Sequence, residues 1–114
     1  ILKLVLINVI FKEMELAMEK LIYLNNLFDL YGELLTSKQQ LYFKEYYFNN
    51  LSYGEISEKY DISRNAIFRQ LKLIEEKLEF YEKKLKLYSK KQQISDIIEL
   101  INNKDIQETL ENLF

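Results

Sequence analysis

No cysteine, histidine, proline or tryptophan occurs among the 114 residues, and glycine occurs only twice. Without cysteine there is no disulfide framework, and without cysteine and histidine there is no zinc site of the usual kinds. The missing histidine removes the commonest general base. No other grouping along the chain combines acid, base and nucleophile, so the sequence reads as a non-enzyme without a cofactor. Lack of cysteine is compatible with a reducing cytoplasm, which is the expected location. Scarce glycine and absent proline leave few breaks for strands and hairpins. With so many Leu, Ile, Lys and Glu, the expected fold class is all-α.

Long hydrophobic runs are also lacking. The apolar stretch from Ile1 to Phe11 falls short of the roughly 20 residues that span a bilayer, and no small-residue cleavage site follows it, so no membrane partner is expected. The first residue is not Met, whereas Met18 precedes a well-formed amphipathic segment. Residues 1–17 are therefore expected to be a non-native or irregular N-terminal extension. If they do belong to the protein, their expected job is packing as helix or strand against a partner chain. Residues 18–114 are expected to form a single helical domain. With 48 % hydrophobic and 30 % charged residues, a chain of this size is a folded domain that buries roughly 65 % of its unfolded surface.

The formal charge of −2 argues against indiscriminate coating of nucleic acid, but it conceals a segregation. Residues 1–62 carry six Lys and nine acids; residues 63–91 carry nine Lys or Arg and four Glu; residues 92–114 carry one Lys and five acids. The middle segment, at +5, is the one whose charge suits phosphate contacts.

Helical periodicity runs through the chain. Leu21, Leu24, Phe28, Tyr31 and Leu35 share one stripe, predicting a helix from Met18 to Leu35. Thr36 and Gln39 form a capping-box pair that starts a second helix over Ser37–Phe48, and the aromatics between Tyr42 and Phe48 read as core. Further on, Ile67, Leu71, Ile74, Leu78, Tyr81, Leu85 and Tyr88 step by four and three, predicting a fourth helix of about 25 residues with a heptad seam. The distal part of that seam needs a cover, which is the helix of a second subunit, the C-terminal segment folding back, or both, and a homodimer is expected on this ground. After Tyr88 the stretch SKKQQ permits a bend. Ile94, Ile97, Ile98 and Ile101 then form another apolar face, Asn102, Asn103 and Lys104 interrupt it, and Asp105 with Glu108 is a capping pair for a last helix that continues to Phe114.

One stretch implies a task. Residues 52–72 read as a helix-turn-helix: a first helix from the Ser52 N-cap to about Tyr60, a turn at Asp61 and Ile62, and a second helix from Arg64 capped by Ser63. Ile56, Tyr60, Ile62, Ile67 and Leu71 fall where two crossed helices need apolar inward faces, and Ser57 is small enough to let them approach. The turn holds Asp61 where Gly is usual, and Asp tolerates a left-handed backbone better than most residues. Arg64, Asn65, Phe68, Arg69 and Lys72 are left facing outward. On this reading Arg64 and Lys72 hold phosphates, Asn65, Arg69 and Gln70 meet base edges, and Ser63 adds a backbone contact. An ordinary helical hairpin whose Arg and Lys only solvate a face would carry similar counts.

Two resemblances follow from these residues. LLTSKQQLYFKEYYFNNLSYGEISEKYDISRNAIFRQL, from Leu34 to Leu71, resembles region 4 of bacterial sigma factors, a helix-turn-helix that reads a promoter element. From MEKLIYLNNLFDLYGELLTSKQQ through YDISRNAIF to FYEKKLKLY, the chain resembles the YlxM family of small bacterial DNA-binding proteins associated with the signal recognition particle pathway. That resemblance implies a sigma region 4-like unit of three or four helices with a long fourth helix and C-terminal helices. It also implies transcription regulation on double-stranded DNA, or an alternative role as a protein- or RNA-binding adaptor to signal recognition particle components. The sequence departs from the family pattern at Phe68, Arg69 and Gln70, where an aromatic followed by acidic and amide residues is expected. Arg69 makes the outward face more basic.

Overall fold

Among the residues that the computed structural model describes, 1–101 and 103–113, there are six α-helices and no strand. They are α1 (Leu2–Tyr31), α2 (Ser37–Phe43), α3 (Tyr53–Tyr60), α4 (Arg64–Leu85), α5 (Leu87–Leu100) and α6 (Lys104–Glu111). A 3₁₀ turn, Gly32–Leu34, follows α1, and a π turn, Lys44–Phe48, follows α2. The expected all-α class is what is found.

The seam of α4 organises the molecule. Its Ile67, Leu71, Ile74 and Leu78 are buried against Leu24, Leu27, Phe28 and Tyr31 of α1, Tyr42 and Phe43 of α2, and Ile56 of α3. Fully burying each Leu or Ile is worth about 1.5–3 kcal/mol, and α1, α2 and α3 all gain it on this one helix. Inside, Phe28 and Phe43 stack with centroids 4.2 Å apart, and Phe48 meets both rings edge-on.

Several expectations are corrected here. Residues 2–17 are regular helix continuous with the rest of α1, because nothing in them breaks a helix, yet every residue of 1–20 is exposed. Along the heptad seam of α4, Ile67, Leu71, Ile74 and Leu78 are covered by the chain's own α1, α2 and α3, whereas Leu85 at its distal end is 46 % exposed. That helix ends at Leu85, three residues before Tyr88, where Lys86 takes a left-handed conformation (φ 56°, ψ 30°). The break falls there because α5 is capped from elsewhere. Tyr31 Oη accepts from the Leu87 N–H at 3.0 Å, and the Glu82 carboxylate accepts from the Tyr88 and Ser89 N–H groups at 2.9 and 3.2 Å.

The second helix loses its regular winding after Phe43. The wider π turn places buried Glu45 where it accepts from Lys59 Nζ, Asn49 Nδ2 and Tyr60 Oη at 2.7, 2.7 and 2.9 Å, a typical use of an inserted residue in a helix. At the far end, α6 is capped by Asn103 rather than by Asp105 with Glu108. Asn103 Oδ1 accepts from the Asp105 and Ile106 N–H groups. Asn102 and Phe114 lie outside the described residues. No helix among the described residues is long and apolar enough to cross a membrane.

Candidate nucleic-acid interface

Each end of the helix-turn-helix is fixed by a cap. Ser52 Oγ accepts from the Glu55 N–H at 3.1 Å while Glu55 Oε1 accepts from the Ser52 N–H at 3.1 Å, a reciprocal box that starts α3. Asp61 ends it in the left-handed region (φ 52°, ψ 50°), the geometry read from the turn sequence. Ser57, on the inner side of α3, donates its hydroxyl to the Ile62 carbonyl and so ties the turn back to the helix. Ser63 Oγ accepts from the Ala66 N–H at 3.0 Å and starts α4. Ile56, Ile67 and Leu71 close the apolar interior between the two helices.

With the seam of α4 fixed inward, its other faces follow at about 100° per residue. Asn65, Arg69 and Lys72 fall on the outward arc. All three are exposed, and among the described residues none makes a side-chain hydrogen bond or ion pair. Phe68 and Gln70 lie on the two flanks of that arc. Phe68 is 48 % exposed and meets Tyr53 edge-on at 5.9 Å, and Gln70 is half-buried.

Arg64 shares the Phe68 flank, and its exposed side chain turns back over α3. A Cβ placed on Gly54 would stand 3.0 Å from Arg64 Nη2 and 3.2 Å from Cζ and Nε. The guanidinium thus lies against the bare backbone of the first turn of α3.

The Phe68 flank opens onto a groove of about 770 Å³ between α1, the segment before α3, and α4. Tyr46, Tyr47, Tyr53 and Phe68 line it, with Lys20 and Lys72 at its margins. Tyr46 and Tyr53 stack at 5.1 Å. Tyr47 donates its hydroxyl to Glu75, and Lys20 Nζ reaches the same carboxylate at 3.5 Å. Burial first, and then Glu75, push the Tyr47 phenol above its ordinary range, so it stays a donor.

The +5 segment resolves into two patches. Arg64, Arg69 and Lys72 form one at the start of α4. Lys83, Lys84, Lys86, Lys90 and Lys91 form another around the α4–α5 break, and Glu75, Glu76, Glu79 and Glu82 stand between them together with the ninth cation, Lys77, which is turned to Gln39. Only the first patch coincides with the helix-turn-helix.

Two features escaped the sequence reading. The Tyr46–Tyr53 stack joins residues from separate elements and left no periodic trace. Gly54 did leave a signal, because one of only two glycines stands inside a helix, where glycine is disfavoured.

Comparison with known proteins agrees with this geometry. Residues 18–113 match the family model described as "Putative helix-turn-helix protein, YlxM / p13 like". A UPF0122 protein of Halalkalibacterium halodurans is 41 % identical over 97 residues, covering 84 % of this chain and 89 % of the relative. One from Listeria innocua is 39 % identical over 104 residues, covering 83 % and 94 %. The UPF0122 protein YlxM of Bacillus subtilis is 45 % identical over 64 residues, covering 56 % of this chain and 58 % of that protein.

Proposed function

The chain belongs to the YlxM/p13-like helix-turn-helix family, and on that premise we propose that it is a non-enzymatic regulatory protein that binds duplex DNA with α4. The observation that carries this reading is the outward arc of Asn65, Arg69 and Lys72, three exposed polar side chains on the second helix of the helix-turn-helix that have no side-chain partner among the described residues. Lys72 and Arg64 contact phosphates and set affinity. Asn65 and Arg69 meet base edges, Asn favouring adenine and Arg favouring guanine. Ser63 acts through the backbone by capping the reading helix, and Phe68 and Gln70 contribute from the flanks. A dimer reading two half-sites needs its two copies of α4 about 34 Å apart, or a multiple of that.

Titration of the protein against duplexes drawn from its own operon, at two salt concentrations, tests the reading. Binding is expected to weaken steeply with salt and to fall in Arg69→Ala and Lys72→Ala. Unchanged affinity in both variants would overturn it.

A second reading, an adaptor of the signal recognition particle pathway that uses other surfaces, is favoured by the C-terminal helices. α5 and α6 expose Ile97, Leu100 and Ile106 among Asp96, Glu99, Asp105, Glu108 and Glu111, a surface that a helix-turn-helix does not need. Recovery of the particle's protein or RNA with the tagged chain from cells supports that reading, and recovery of neither removes it.

A further inference from the structure

Glycine is the weakest helix former after proline, so the residue at position 54, inside α3, needs a reason. The only other described glycine, Gly32, lies in the 3₁₀ turn after α1. At Gly54 the neighbouring atoms supply the reason. The space that a Cβ would take borders Arg64 Nη2 at 3.0 Å and both Cζ and Nε at 3.2 Å, whereas non-bonded carbon contacts settle at about 3.5–4.0 Å. Three guanidinium atoms at once are that near, so the planar head lies flat over the glycine rather than touching it with one end. Nor is the guanidinium held there by an opposite charge, since among the described residues no carboxylate pairs with Arg64. The guanidinium is thus seated against backbone, exposed, with its charge free to meet an anion from outside the chain.

We propose that Gly54 is a positioning residue: its bare backbone is the seat that fixes the Arg64 guanidinium toward a phosphate of bound nucleic acid. The proposal rests on the duplex-binding reading above and deepens it. A side chain at 54 lifts the guanidinium off α3, frees its rotamers and raises the entropy lost when a phosphate is bound. The same side chain improves the helix. Stability and affinity therefore move in opposite directions, which a merely structural glycine would not produce.

The test compares the full-length chain with Gly54→Ala, Gly54→Leu, Arg64→Ala and the Gly54→Leu/Arg64→Ala double variant. Three measurements are made on each: thermal melting, duplex affinity, and, where Arg64 is present, ¹⁵N relaxation of its Nε in the free protein. Gly54→Ala is expected to melt above the wild type and to bind duplex more weakly. Gly54→Leu should lose about tenfold in affinity, the scale of one charge-assisted hydrogen bond, and Arg64→Ala should lose as much. The double variant should lose no more than either single change, and the Arg64 Nε should be rigid in the wild type and mobile in Gly54→Leu.

Wild-type affinity in Gly54→Leu alongside a loss in Arg64→Ala would overturn the proposal. So would an equal cost of Gly54→Leu in the Arg64→Ala background, because the glycine would then act through something other than the guanidinium. If Gly54→Leu fails to fold, Gly54→Ala carries the same comparison with a smaller displacement. A wild type that binds no duplex overturns the underlying reading instead, and the seat is then decided by the Nε relaxation, where equal mobility with and without a side chain at 54 rejects it.

Discussion

The Tyr31 hydroxyl donates to the Glu82 carboxylate at 2.7 Å and at the same oxygen accepts from the Leu87 N–H. Together the two side chains cap the start of α5, which has no side-chain cap of its own. Burial foremost, and then Glu82, push the Tyr31 phenol up, keeping it a donor at any physiological pH. Tyr31→Phe deletes both bonds and leaves the ring in place. It is expected to cost about 1–3 kcal/mol in denaturant unfolding and to speed amide exchange at Leu87, Tyr88 and Ser89 selectively. Exchange that rises evenly across the chain would contradict a local cap.

Glu45 gives the fold an acid sensitivity. Hydrogen bonding from Lys59 foremost, then from Asn49 and Tyr60, lowers its carboxyl from 4.5 to about 2. A group whose pKa is depressed on folding contributes stability that is present in full above its unfolded value and is lost as pH falls toward its folded one. The contribution should therefore be complete above about pH 4.5 and drain away between there and about pH 2. Glu45→Gln should unfold more readily at neutral pH and show a flatter stability profile across that window. Parallel profiles for the two proteins would show that Glu45 is not the group titrating.

These two carboxylates mark where the sequence stopped being readable. Periodicity identified Ile67, Leu71, Ile74 and Leu78 because a buried helical face must repeat every three or four residues. Local caps at Thr36, Ser52 and Ser63 were readable because donor and acceptor are three residues apart. Glu82 and Glu45 work across elements: one closes a helix with help from Tyr31, 51 residues away, and the other sits on a π turn facing α3. No spacing rule reports such partners. The end of α4 was misplaced for the same reason, since the break at Lys86 is set by a cap from α1. In the candidate site, Arg69 and Lys72 were found by the wheel of α4, whereas the seat under Arg64 depends on how α3 crosses it.

Lys86 and Asp61 both occupy the left-handed region, at φ 56° and 52°. Asp adopts it at less cost than a long side chain, because a short polar group can bond locally. Lys86→Gly is therefore expected to stabilise the chain by about 0.5–1 kcal/mol, and Asp61→Gly by less. Chemical denaturation with an unchanged slope checks both. A loss of stability in Lys86→Gly would mean that its side chain supports the α4–α5 break in a way the backbone angle does not reveal.

Glu75 lies three residues after Lys72 on α4, the proposed reading helix, close enough for the two side chains to interact, and it is the first acid along that helix. Tyr47 and Lys20 hold it in the groove, and on the proposed duplex-binding mode its charge would oppose the phosphates. Glu75→Gln keeps an oxygen to accept from Tyr47 and removes the charge. The ion pair with Lys20 is largely exposed on the lysine side and adds little stability, as such pairs generally do. Melting should consequently change only slightly. Duplex affinity should rise about two- to threefold at roughly 50 mM salt and converge on the wild type near 200 mM, because screening shortens the reach of an exposed charge. A gain that persists at the higher salt would point to a new direct contact by the amide, and weaker binding at the lower salt would mean that Glu75 orders the reading helix rather than repelling its target.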